Sequence, residues 1–113
     1  MNKNCLDFDI YQREALVTDQ SKEDGAASLL LPLLGLVGEI GTLATEQKKR
    51  IRNSDKHQLF ADRIAEDLGD ILWYLSNFAS KSGMSLEDIA RRNLEKVRAR
   101  WSLCCRRRIS VVI

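Results

Sequence analysis

The chain has 113 residues, a net charge of +2 and 30% charged residues. That length suits one domain with a modest core, and the nearly balanced charge gives no sign of a nucleic-acid or membrane partner. The three cysteines, Cys5, Cys104 and Cys105, form no Cys-x-x-Cys pair, which argues against a disulfide framework or a zinc site and for reduced thiols in the cytoplasm.

One proline, six glycines and few aromatics, with almost no alternating run before the C-terminus, favour helices. The N-terminus shows no apolar stretch of the secretory kind. A first helix is expected over residues 7–18, with Phe8, Tyr11 and Ala15 on one face. Residues 19–27 read as a polar loop with Asp24-Gly25 as its turn. A second helix is expected to begin between Ser28 and Pro32, where a proline in the first turn costs nothing, and to run to about Arg52. Leu33, Ile40, Leu43 and Ala44 give it an apolar stripe, and Lys48, Lys49, Arg50 and Arg52 complement the dipole at its end. The apolar run 29–37 is too short to cross a bilayer, and Gly38-Glu39 interrupts it.

Asn53-Ser54-Asp55 offers a cap for a third helix over residues 56–81. Phe60, Ile64, Leu68, Ile71, Leu75 and Phe78 step by four, four, three, four and three, the clearest periodicity in the chain. Ser82-Gly83 ends it, and Ser85-Leu86-Glu87-Asp88 reads as a capping-box-like start for a fourth helix reaching about Trp101. Residues 1–101 then form one all-α domain, an antiparallel bundle of about four helices. Residues 102–113 read as a tail: disordered, a short strand, or packed on a partner chain.

Glu39 sits within an otherwise apolar stretch, where a carboxylate is costly unless a cation or donors compensate it. Asp67 and Asp70 are three apart, so they share a helix face with Cβ atoms roughly 5–6 Å apart. Hard oxygen ligands turned inward from facing helices make a Mg²⁺ or Mn²⁺ site. The competing reading is a solvated acidic face bordering the apolar stripe.

Residues 35–41, Gly-Leu-Val-Gly-Glu-Ile-Gly, followed by residues 66–75, Glu-Asp-Leu-Gly-Asp-Ile-Leu-Trp-Tyr-Leu, resemble the core of the MazG-like nucleoside triphosphate pyrophosphohydrolases. Tyr11-Gln12 with Ala15 and Thr18 is similar to the opening helix of many small members. Asn93-Leu94-Glu95-Lys96 with Arg100 is similar to their closing motif. The resemblance covers about Phe8 to Trp101. It implies hydrolysis of nucleoside triphosphates to monophosphate and pyrophosphate, through Mg²⁺ held by Glu-x-x-Glu on one helix and Glu-x-x-Asp on the next. Glu39 matches the first acid, Asp67 takes the third place and Asp70 the last. The second place holds Thr42, a departure from the pattern and a much poorer ligand.

The metal ligands expected are therefore Glu39, Asp67 and Asp70. Glu46, two turns beyond Glu39 and roughly 10 Å away along the axis, either makes up for Thr42 or pairs with Arg50. Glu66 is the other auxiliary, so the catalytic carboxylates expected are Glu39, Glu46 and Glu66. Lys48, Asn93 and Lys96 are the candidates for phosphate or sugar contact, against a plain reading as solvated helix charge. Trp73 and Tyr74 serve either base stacking or packing, and His57 reads as a surface residue. The resemblance further implies a homodimer or homotetramer that completes the site, a cytoplasmic setting and a role in nucleotide housecleaning. Thr42 keeps an alternative open: an impaired nucleotide-binding or interaction module of the same fold.

Overall fold

The computed structural model describes the backbone of residues 5–52 and 57–112, and side chains over 5–52 and 60–102. It has four helices: α1 (Phe8–Val17), α2 (Gly25–Arg52), α3 (His57–Lys81) and α4 (Leu86–Val112). There is no strand among the described residues. The Asn53-Ser54-Asp55 cap and the side chains of His57, Cys104 and Cys105 lie outside what is described.

Local chemistry accounts for most helix ends. Asp7 caps α1, its Oδ1 accepting from the Ile10 amide at 2.8 Å, as short acidic side chains do. Gly83, at φ +71°, follows α3 in the left-handed conformation. The Met84 amide donates to the Ala79 carbonyl at 2.9 Å and the Gly83 amide to Ser80 at 3.1 Å, the paired bonds of a Schellman motif. Ser85 then caps α4, accepting from the Asp88 amide at 3.3 Å.

Two boundaries differ from the sequence expectation. Helix α2 starts at Gly25, whose φ of +62° turns the chain into it. Pro32 is therefore inside the helix, where its missing N–H leaves the Ser28 carbonyl without its usual helical donor. The helix continues unbroken through Gly38-Glu39, because isolated glycines cost only about 1 kcal/mol each in a helix. The result is one helix long and apolar enough to cross a membrane by length and composition, contrary to the short interrupted run expected. Helix α4 passes Trp101 and reaches Val112. Residues 102–112 contain neither Gly nor Pro to stop it, and β-branched residues lower helix propensity without breaking a helix. The tail boundary at Trp101 has no counterpart in the backbone.

Helices α2 and α3 form an antiparallel hairpin, the most extensive helix pairing in the molecule, with α1 lying against α3 and α4. Its register can be read from four cross-helix pairs. Glu46 meets Arg63, Glu39 meets Asp70, Gly35 lies under the Tyr74 ring, and Pro32 and Asn77 line one cavity. Steps of seven, four and three residues down α2 match steps of seven, four and three up α3.

The best-buried apolar side chains gather where α1, the end of α3 and the start of α4 meet: Ala15, Ala79 and Leu86. Gln12 clasps this corner. Its Nε2 donates to Ser80 Oγ at 3.0 Å and to the Met84 carbonyl at 2.8 Å, and its Oε1 accepts from the Leu86 amide at 2.7 Å. Elsewhere the chain is open. Leu30, Leu31, Leu33, Leu34, Val37 and Ile40 of α2 are exposed. The radius of gyration is 18.8 Å, against about 13 Å for a compact chain of this length.

Candidate metal centre

Glu39 is placed by α2 and Asp67 and Asp70 by α3, and the hairpin register brings them together. One carboxylate oxygen from each lies within 4.8 Å of the other two. Glu39 and Asp67 are half-buried and Asp70 is exposed. Within the cluster, Asp67 Oδ2 is buried and has no hydrogen-bond partner. A buried carboxylate oxygen without a donor is costly. A hard divalent cation offsets that cost, and a Mg²⁺ ion accepts an all-oxygen set completed by water or phosphate. The residues present thus fit such an ion: three carboxylates at ligand spacing, one holding an orphaned buried oxygen, and one open to solvent for a substrate to approach.

Tyr11 of α1 stands beside this cluster. Burial, and then the negative charge of Asp70, raise its hydroxyl above the ordinary tyrosine value. The amphipathic pattern of α1 showed that Tyr11 faces inward. That it faces Asp70 depends on how α1 docks on α3, which no local signal encodes.

The other sequence candidates are not part of this group of three carboxylates. Thr42 Oγ1 is exposed and donates to the Gly38 carbonyl at 3.1 Å, the back-bond that helical threonines commonly form. Glu46 bridges two cations, Lys49 Nζ at 3.5 Å and Arg63 at 3.3 Å. The ion pair anticipated with Arg50 is thus made with Lys49 and, across the hairpin, with Arg63. Glu66 is exposed on α3 one turn before Asp70. Lys48 is exposed on α2. Asn93 and Lys96 are exposed on α4, where every described side chain from Arg91 to Ser102 is exposed. Among the described residues, helix α4 packs on α1 and α3 and not on α2, which carries Glu39. Within one chain, Asn93 and Lys96 are therefore not brought against α2. The Trp73 indole donates to Thr18 Oγ1 at 2.8 Å and meets the Tyr74 ring edge-to-face at 5.0 Å.

Comparison with known proteins gives this arrangement its family. The model of the MazG nucleotide pyrophosphohydrolase domain matches residues 28–104. The chain belongs to the MazG family. Its MazG domain takes in Glu39, Asp67 and Asp70, together with Asn93 and Lys96. The chain is 33% identical to the Gene 37 protein of Mycobacterium phage L5 over 101 residues, which is 84% of this chain and 89% of that protein. No solved structure matches. The MazG family is one of nucleotide pyrophosphohydrolases and typically depends on a divalent cation, which agrees with the acidic cluster found here.

Proposed function

We propose that the chain is a Mg²⁺-dependent nucleoside triphosphate pyrophosphohydrolase that converts a triphosphate and water to a monophosphate and pyrophosphate. The observation that carries this reading is the convergence of Glu39, Asp67 and Asp70 in a MazG chain, with a buried oxygen of Asp67 left unpaired. Glu39, Asp67 and Asp70 would hold the ion. A bound Mg²⁺, or Mn²⁺, supplies charge neutralisation to the triphosphate and Lewis-acid polarisation. The exposed position of Asp70 admits the phosphates, and the half-buried Glu39 and Asp67 hold the site in a region of reduced water content, where charge placement counts most. A water attacks the α-phosphorus, the bond to the β-phosphate oxygen breaks, and the water's proton passes to a carboxylate. Glu66, one turn before Asp70, is assigned that role. Glu46 is engaged by Arg63 and Lys49 and orders the hairpin instead.

Phosphate contacts are assigned to Lys48 of α2 and to Asn93 and Lys96 of α4, the latter two from a second chain, since one chain does not bring α4 to α2. The exposed apolar row on α2 supports a homodimer or homotetramer in which that face is covered. Such an assembly acts in the cytoplasm on free nucleotides, in housecleaning of the pool, with no membrane or nucleic-acid polymer as partner. Thr42 favours a second reading, a helical module of the same fold that binds nucleotide without turnover. Pyrophosphate release over a panel of ordinary and damaged triphosphates with added Mg²⁺ separates the two. Release that Asp70→Asn abolishes supports the enzyme. No release from any member, together with no Mg²⁺ binding by calorimetry, would sink it.

A further inference from the structure

Helix α4 stands clear of the bundle beyond Ala90, and every described side chain from Arg91 to Ser102 is exposed. That exposed length is not uniformly polar. Leu94 is 50% exposed, Val97 37% and Trp101 63%. With Ala90 they step by four, three and four, which makes one stripe along the helix. Glu87, Leu94 and Trp101 are seven apart, nearly two turns each. Glu87 therefore heads the same stripe, with Leu94 about 10 Å along the axis and Trp101 about 21 Å along it. Arg98 flanks the stripe on the side of Glu87.

At Glu87 the stripe meets a cavity of about 330 Å³. Leu6, Phe8, Tyr11 and Leu72 give it apolar walls, and Asp7 and Glu87 line it with carboxylates. Asp9 hydrogen-bonds Glu87 and repels its charge, and both effects hold the Glu87 carboxyl above its ordinary value. Arg91 lies 3.3 Å from Glu87 and 2.9 Å from Asp88. One cation is thus shared between two carboxylates, beside a third and a fourth in Asp7 and Asp9. An apolar hollow with carboxylates in excess suits an aromatic side chain accompanied by a cation. Trp101 and Arg98 are that combination, yet about 21 Å of helix keeps a chain's own Trp101 from the cavity at its Glu87. The charge of the whole chain divides the same way. Residues 86–112 hold eight basic and three acidic residues, and residues 1–85 hold ten and thirteen. Helix α4 of one copy is therefore drawn to the body of another.

We propose that a second copy of the chain packs its α4 antiparallel against this one, with Trp101 of each copy in the cavity of the other and Arg98 of each beside the Glu87 and Asp9 carboxylates of the other. A two-fold axis at Leu94 achieves this in one step. Leu94 faces Leu94 of the second copy, and the residues seven before and seven after it trade places, so Glu87 meets Trp101 at both ends. The same patch serves both copies and the pair closes, as an isologous interface does. Lys96 lies about 100° round the helix from Val97 and stays outside this face. The interface is separate from the apolar row on α2. It goes beyond the nucleotide reading and needs neither ion nor substrate.

The test begins with the full chain carrying Cys5→Ser, Cys104→Ser and Cys105→Ser. In that background Leu94→Cys is expected to give a disulfide-linked dimer under mild oxidation, because helices packed about 8–10 Å apart bring facing Cα atoms within disulfide reach. Arg92→Cys, about 160° round the helix, is expected to stay unlinked. In the native sequence, Trp101→Ala should halve the mass seen by light scattering while circular dichroism shows the helix content unchanged, since Trp101 is exposed in the single chain. Glu87→Arg or Arg98→Glu alone should weaken association by roughly tenfold or more. The two together should restore most of it, which a merely structural role for either residue would not do. A Leu94→Cys chain that stays unlinked, or links no faster than Arg92→Cys, overturns the proposal. So does a mass unmoved by Trp101→Ala, or a double swap that rescues nothing, the results expected of a dimer held by the α2 face alone. Pyrophosphate release bears on none of these readouts, so the interface and the enzyme reading fail separately.

Discussion

Asp67→Asn should act in opposite directions with and without metal. In the metal-free chain, the nearest oxygens of Glu39, Asp67 and Asp70 lie within 4.8 Å of one another. At that distance two unit charges repel by about 0.9 kcal/mol in water and about 3.5 kcal/mol at an effective dielectric constant of 20. Neutralising Asp67 removes two such pairs. Even with the lower figure for both pairs, relief amounts to about 2 kcal/mol at low salt. Asp67 Oδ2 has no partner to lose, and an amide in its place can donate to either remaining carboxylate, so no hydrogen-bond cost offsets the gain. The variant should therefore melt several degrees higher than wild type in EDTA, since about 1 kcal/mol corresponds to roughly 4 °C for a domain near this size. Millimolar Mg²⁺ should raise the wild-type melting temperature, by linkage of binding to folding, and leave the variant almost unmoved. Circular dichroism melts at 222 nm in the two buffers give all four values. An Asp67→Asn protein that melts below wild type in EDTA, or gains the same increment from Mg²⁺, would refute a shared site for these carboxylates.

Four further outcomes are expected. Gly35→Ala would push a Cβ into the Tyr74 ring and should cost about 1–3 kcal/mol by overpacking, read from urea midpoints; Gly38→Ala, where a Cβ meets nothing, serves as the control and should stabilise slightly. The hydrogen bond from Lys81 holds the Asp19 carboxyl below the usual range against the opposing effect of burial. Its stabilisation is therefore fully present above the unfolded value of about 3.9 and is lost as pH falls through the lower folded value. Asp19→Asn should cost about 2 kcal/mol at neutral pH and nothing once wild-type Asp19 is protonated; a difference independent of pH in denaturant titrations would contradict the pair. Glu66→Gln should lower kcat by about a hundredfold or more, the usual contribution of a positioned acid or base, whereas Glu46→Gln should change kcat little and stability by under about 1 kcal/mol, because its partners Arg63 and Lys49 are exposed.

Local chemistry made much of this molecule legible before any geometry. The four-four-three-four-three spacing of α3, Gly83 after α3 and Ser85 before α4 are signals within one turn of the features they set. The pairing of Asp67 with Asp70 is of the same kind, and Glu39 stood out as a charge among apolar neighbours. Contacts between helices were beyond that reach. Arg63 lies seventeen residues from Glu46, and Asn77 shares a cavity with Asp19, Ser21 and Pro32, all more than forty residues away. The length of α4 was missed for another reason: residues 102–112 change composition without containing a helix breaker, and composition alone does not end a helix.

The matched steps of seven, four and three residues on α2 and α3 have a consequence for how this sequence can vary. A substitution at one rung disturbs one pair. An inserted or deleted residue between Gly35 and Glu39 would turn everything beyond it by about 100° and slide it about 1.5 Å along the axis. Glu39 would then leave the aspartates while Gly35 kept its place under Tyr74. The carboxylate cluster, the tyrosine contact and the cavity at Asn77 thus tolerate changes of side chain one at a time but share a single reading frame. Changes of length are confined to the segments outside the hairpin's helices, where no rung is counted.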